Sequence, residues 1–310
     1  MMDYRRLGKT ELQVSVLSYG ASPLGSVFRE IDEAEGIRTV HTALDLGMNL
    51  IDVSPYYGLT KAETVLGKAL RGVDRDRYIL ATKVGRYGLD EFDFSAARVT
   101  TSVDESLARL GVDHIDIIQC HDIEFVNLDQ IVEETIPALR RLQETGKVRY
   151  VGITGLPIKI FTDVVARAEV DTILSYCHYM LNDTALLEII SALQAQDIGI
   201  INASPLGMGL LTNRGVPDWH LAPADVQQAC AQAAAFCDEQ GVDIAQLAVQ
   251  FSVANPDIAT TIVGSANPRN IEKNVRWIET PPDPALLAAV QAILAPVMNK
   301  SWPSGLPENN

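Results

Sequence analysis

Short apolar runs alternate with longer helical stretches eight times along this chain, and that alternation limits its fold more than any other feature. A first segment, Tyr4 to Val14, is expected to form a hairpin within residues 1–15. The strand-like runs then fall at residues 16–19, 49–53, 78–83, 114–120, 148–153, 172–176, 199–203 and 259–263. Helical spacing covers residues 33–46, 61–70, 95–110, 128–145, 159–168, 184–195 and 268–277, with Ser95 a natural N-cap and Gly47 and Gly146 natural stops. Extra helices are expected after the seventh strand (224–240 and 244–254) and at the C-terminus (285–294).

Strand–helix alternation gives a parallel sheet covered by helices. Eight such units in one chain favour closure into an α/β (β/α)8 TIM barrel, which typically takes about 250 residues. The competing open, doubly wound sheet would carry Gly-x-Gly-x-x-Gly after its first strand. That motif is absent there; Gly207-Met208-Gly209 begins like it but follows the seventh strand and lacks the third glycine. The expected organisation is a single domain over 1–310, with a tail at 297–310 near the barrel mouth whose last ten residues look loosely attached.

The net charge of −15 repels phosphate backbones, so no nucleic-acid partner is expected. No apolar stretch approaches the ~18 residues of a membrane span. The charged, polar start does not read as a signal peptide, which points to the cytoplasm. Four cysteines suggest no disulfide framework; Cys230 and Cys237 share a helical face and read as small buried hydrophobes. Cys120-His121 and Cys177-His178 are neighbours on strands, where adjacent side chains diverge, so no metal site is expected.

In a barrel the chemistry stands at the C-terminal ends of the strands. Asp52 ends the second strand and Tyr57 follows it; Lys83 ends the third; His121 follows the fourth. A tyrosine near pKa 10 exchanges protons poorly at neutral pH. A neighbouring ammonium lowers that value, so Lys83, held by Asp52, would tune Tyr57 as general acid or base while His121 orients the reacting oxygen. Each residue has a structural alternative: Asp52 as a helix cap, Lys83 as a solvated cation, Tyr57 and His121 as packed side chains. Their convergence on one rim favours the chemical reading.

With these residues in place, the sequence resembles the aldo-keto reductases over nearly its whole length. The likeness runs from Tyr4-Arg5-Arg6-Leu7-Gly8-Lys9-Thr10 through Asp52-Val53-Ser54-Pro55-Tyr56-Tyr57-Gly58, Ala81-Thr82-Lys83 and Ser204-Pro205-Leu206 to the 264–274 segment. It implies an Asp52, Tyr57, Lys83, His121 tetrad and a nicotinamide dinucleotide lying across the mouth. Further segments resemble plant-type sugar dehydrogenases of the family: Ala21-Ser22-Pro23-Leu24-Gly25-Ser26-Val27-Phe28, Cys120-His121-Asp122-Ile123-Glu124-Phe125, Gly152-Ile153-Thr154-Gly155-Leu156-Pro157, Ser175-Tyr176-Cys177-His178-Tyr179 and Trp302-Pro303-Ser304-Gly305.

The resemblance also assigns the cofactor's surroundings. Thr154 and Gly155 stand where many members have Ser-Asn against the nicotinamide amide. Ala203 replaces a stacking aromatic, and Tyr176 is expected to supply the lost platform. Backbone N–H groups around Ser204, Leu206 and Gly209, and at Gly264 and Ser265 ahead of the 268–277 helix, would hold the phosphates. Gly264 and Asn270 occupy the positions that carry cations in NADP-preferring members, so NAD is expected over NADP, with Arg269 a partial compensation. Asn274 matches an adenine contact.

The implied reaction is NAD-dependent oxidation of an aldose at C1 to its lactone, L-galactose first. L-Fucose and D-arabinose are alternatives, as is general NADPH-dependent aldehyde reduction. A non-catalytic cofactor-sensing subunit would not need all four tetrad residues. Asp122, Glu124 and His178 are expected to read sugar hydroxyls, and Trp302 to face the pyranose ring. The partner is a small sugar, and the chain is expected to be a monomer or weak homo-oligomer.

Overall fold

A computed structural model describes residues 2–27 and 29–310; Phe28, at the end of one resembling segment, lies outside them. Two short antiparallel strands, β1 (Tyr4–Arg6) and β2 (Gln13–Ser15), make the N-terminal hairpin. Eight parallel strands follow: β3 (Leu17–Gly20), β4 (Leu50–Asp52), β5 (Ile79–Val84), β6 (Ile115–Cys120), β7 (Val148–Gly155), β8 (Thr172–Tyr176), β9 (Gly199–Ala203) and β10 (Thr260–Gly264). They pair in chain order, and β10 closes on β3, so the sheet is a closed barrel. The fold is the expected (β/α)8 barrel.

The two-residue period of a strand explains how the barrel carries a site. Leu50, Ala81, Ile117, Leu174, Ile201 and Ile262 form an apolar floor, sealed below by Leu7 and Val14 of the hairpin. Two residues further along, on the same inward face, stand Asp52, Lys83, Gln119 and Tyr176. Each strand therefore turns from oil to polar chemistry at its C-terminal end. The alternate residues, such as Ile118, Cys120, Val151, Ile153 and Ile173, face outward and pack on the helices through Val99, Val103, Leu139 and Phe161.

The helices begin and end as local chemistry requires. Asp32 caps Glu33–Asp45 by accepting from the Glu35 N–H, and Ser95 caps Ala96–Leu110 by accepting from the Arg98 N–H. The stretch expected as one helix over 128–145 contains a wide π turn at Ile131–Thr135, just ahead of Pro137. Proline lacks an N–H and its ring crowds the preceding turn, so the helix widens there. Ala224–Glu239 and Ile244–Ala254 follow β9, and Pro284–Leu294 closes the chain's helical part.

The tail is not loosely attached. The Asn309 amide donates to the carbonyls of Glu124 and Val126, each at 2.9 Å, and the Leu306 N–H donates to Glu124 O at 2.8 Å. Asn310 ties back to Ser304 and Leu306. Polar tail residues read as solvated in sequence, but here they satisfy a loop's backbone. All four cysteines are free and buried. No helix among the described residues is long and apolar enough to cross a membrane.

Candidate active site

Lys83 is the centre of the site and is almost wholly buried (1 % exposed). Its ammonium donates to Asp52 Oδ1, to the Val53 carbonyl at 2.9 Å and to the Tyr57 hydroxyl at 3.3 Å. The Gln119 amide, level with Lys83 on the next strand, donates to Asp52 Oδ2 at 2.8 Å. Asp52 thus meets donors at both oxygens, the condition under which a buried carboxylate is tolerated. Burial alone would lower the Lys83 ammonium, but Asp52 and Tyr57 outweigh it and hold it above its ordinary value.

Tyr57 is delivered by the loop after β4, which packs against the turn Ser22–Gly25. A Cβ at Gly25 would lie 2.5 Å from the Tyr57 carbonyl oxygen, and one at Gly58, whose φ is +63°, would lie 2.0 Å from the Gly25 oxygen. Only glycine lets these segments meet. The ring stands edge-on to His121, with centroids 5.6 Å apart. Its hydroxyl departs from the sequence expectation. Burial pushes it up to about 12, more than Lys83 pulls it down, with Asp52 and Asp122 adding to the rise.

His121 is buried, and its Nδ1 lies 3.0 Å from the Ser54 hydroxyl oxygen. Burial, with Lys83 and Arg86 nearby, pushes the ring down to about 3 despite Asp122, so it is neutral at ordinary pH. Its Nε2 faces Asp122 Oδ2 at 3.6 Å. Asp122 has φ +53°; Arg86 donates to its Oδ2 at 2.5 Å, and the Thr154 hydroxyl to its Oδ1 at 3.3 Å. Burial would raise the Asp122 carboxyl, but the charge and hydrogen bond of Arg86, with Lys83 nearby, hold it low. Thr154 also accepts from the Asp122 N–H at 2.9 Å, so its hydroxyl is engaged on Asp122.

Glu124 is fully buried beneath the tail. Its Oε1 accepts from Ser304 at 2.9 Å, from the Leu156 N–H at 3.2 Å and from Tyr176 at 3.4 Å. A Cβ at Gly155 would lie 2.6 Å from its Oε2. The glycine that replaces the common asparagine is therefore matched to this carboxyl. His178 pairs with Asp183 at 3.2 Å, and Trp302 is nearly buried edge-on to His220, with centroids 4.9 Å apart.

Beyond β9 the chain curls through left-handed residues Ser204, Gly207, Met208 and Gly209, and Leu206 packs between two core clusters. Such turns make concavities suited to anions. Gly264 is exposed at the end of β10, and Asn270 donates to Ser265 at 3.2 Å. Asn274 is half-buried on the Pro268–Trp277 helix. Among the described residues, no three His, Cys, Asp or Glu side chains gather as a metal would need.

The sequence reading missed Ser54, Gln119 and Arg86. Ser54 and Gln119 are two residues from Asp52 and His121, on the same strand period, but neutral side chains drew no notice. Arg86, three residues after Lys83, lies beyond the strand end, and nothing local in the sequence singles it out.

The sequence pattern of the aldo/keto reductase family matches residues 16–295. The chain belongs to the aldo/keto reductase family. Within that family it is 49% identical to an L-galactose dehydrogenase of Arabidopsis thaliana, over 99% of both chains. It is 34% identical to a D-arabinose 1-dehydrogenase of Saccharomyces cerevisiae, over 78% of this chain and 76% of the other. The holo form of an aldo-keto reductase from Bacillus halodurans superposes with a TM-score of 0.80 at 26% identity, covering 98% and 99% of the two chains. Aldo/keto reductases are oxidoreductases that work with nicotinamide cofactors.

Proposed function

We propose that this chain is an aldose dehydrogenase that uses NAD to oxidise C1 of a sugar to the lactone, with L-galactose as its substrate. The observation that carries this reading is Lys83, clamped by Asp52 and hydrogen-bonded to the Tyr57 hydroxyl at the barrel mouth. The choice of sugar rests on the full-length likeness to the Arabidopsis enzyme. The likeness to the yeast enzyme supports D-arabinose as the second sugar to test.

The residues present suit a dinucleotide. The left-handed run at Ser204–Gly209 offers an anion cradle, and the N-terminus of the Pro268–Trp277 helix a second. Tyr176 packs its aromatic ring against the same core cluster as Leu206 and Met208. Gly264 and Asn270 offer no charge to a 2′-phosphate, which favours NAD. A nicotinamide bound at this mouth supplies the hydride acceptor.

The chain's own groups handle the proton. Tyr57 Oη accepts the proton of the C1 hydroxyl, and the Lys83 ammonium stabilises the phenolate form that can do so. His121, neutral, donates from Nε2 to the same oxygen and fixes its direction. The residues 1–310 act as one barrel domain, closed below by the 1–15 hairpin and bordered at the mouth by the 297–310 tail. Four buried free thiols suit the reducing cytoplasm. NAD-linked oxidation of L-galactose, lost in Tyr57→Phe, is the test.

A further inference from the structure

The Arg86 guanidinium sits in an aromatic cage at the mouth. It lies 4.1 Å from the centroid of Tyr56, 5.2 Å from Phe92 and 5.1 Å from Phe125. Phe92 and Phe125 stack on each other at 4.6 Å, and a backbone bridge between Arg86 and Phe92 ties the loop. Arg86 donates to Asp122 Oδ2 at 2.5 Å and to the Tyr56 hydroxyl at 3.3 Å, while its buried Nε has no hydrogen-bond partner. The two charged side chains are only 13% and 8% exposed.

A buried ion pair contributes little stability for its desolvation cost, so this one invites a reason for its place. That place is beside the atom assigned to hold the reacting oxygen. Asp122 Oδ2 lies 3.6 Å from His121 Nε2, the atom that donates to O1. The oxygens of neighbouring sugar hydroxyls lie within hydrogen-bond reach of each other. A hydroxyl both donates and accepts; a carboxylate only accepts, and a guanidinium only donates. Arg86 and Asp122, side by side, complement both halves of one hydroxyl.

We infer that Arg86 and Asp122 together bind the hydroxyl on C2, next to the carbon being oxidised, and make a 2-hydroxylated aldose the required substrate class. This rests on the aldose dehydrogenase reading and names what the site demands of the sugar. Arg86 holds and completes the reader; it takes no part in moving the hydride or the C1 proton. A sugar without C2–OH brings nothing for the pair to bind yet still shields it from water, and a site built for a hydroxyl rejects such an analogue strongly.

The test compares kcat/KM for L-galactose and 2-deoxy-L-galactose in the wild type, Arg86→Met and Asp122→Asn. Taking the ratio of ratios cancels the intrinsic effect of O2 on C1. The wild type is expected to favour the hydroxylated sugar by about a hundredfold or more. Each variant should shrink that preference at least about tenfold, mainly by losing activity on L-galactose. Asp122→Asn keeps the size of the side chain and carries the test alone if Arg86→Met does not fold. An undiminished preference in the folded variants overturns the inference while the aldose reading stands. Oxidation of neither sugar, nor of any other aldose, by the wild type overturns both.

Discussion

The Ser54 hydroxyl oxygen lies 3.0 Å from Nδ1 of His121 and also accepts the Tyr56 N–H at 3.1 Å. On the other side of the ring, Nε2 faces the Asp122 carboxylate, which can only accept. One arrangement satisfies all of these groups: the Ser54 proton points to Nδ1, and Nε2 carries the ring proton. Ser54 thus holds His121 as a donor into the mouth.

Ser54→Ala removes that constraint without touching the reacting atoms. The expected loss in kcat/KM is about tenfold, falling chiefly on kcat, in line with a buried hydrogen bond of roughly 1 kcal/mol. Nitrogen-15 spectra of the ring distinguish this from mere loosening. The wild type should have an unprotonated Nδ1 and Ser54→Ala a mixture of tautomers; a protonated Nδ1 in the wild type contradicts the assignment.

Glu124 links the tail to stability through pH. Burial pushes its carboxyl from 4.5 to about 8, with Asp122 adding to the rise and hydrogen bonds from Ser304 and Leu156 opposing it. A raised folded-state value means that the folded protein holds the proton more tightly than the unfolded chain. The contribution is therefore fully present below about pH 4.5 and lost as pH climbs through about 8. On the order of a few kcal/mol is at stake. Thermal unfolding at pH 6 and pH 9 should show a drop for the wild type that is much smaller in Glu124→Gln; equal drops would place the pH dependence elsewhere.

Gly155→Ala is expected to destabilise the fold by about 1–3 kcal/mol, the cost of overpacking a filled interior. The new methyl would meet Ile160 Cδ1 at 2.2 Å and Glu124 Oε2 at 2.6 Å. Combining it with Glu124→Ala should recover part of the loss in a denaturant titration, because one of the two obstacles is gone. Purely additive losses would mean that the two positions do not meet.

The barrel was legible because strands and helices write different periods, and the floor-to-mouth change from Leu50 to Asp52 or from Ala81 to Lys83 is a period-2 pattern. The convergence of Asp52, Tyr57, Lys83 and His121 was legible because each stands at or just past the end of a strand, and a barrel gathers those ends on one rim. What escaped depended on partners distant in sequence. Nothing local in Ser304 or Asn309 signals Glu124, some 180 residues away. Tyr57 was expected to be lowered by Lys83, but burial competes with charge, and its weight is a property of the whole packed mouth. Nothing local at Trp302 signals its edge contact with His220, 82 residues earlier in the chain.

The central claim is most directly tested by following reduction of NAD and, separately, NADP across L-galactose, L-fucose and D-arabinose, with the wild type and Tyr57→Phe side by side. The account predicts NAD-linked oxidation that is strongest with L-galactose, weaker with NADP, and lost in Tyr57→Phe. NADPH-linked reduction of simple aldehydes with no oxidation of any sugar would contradict it.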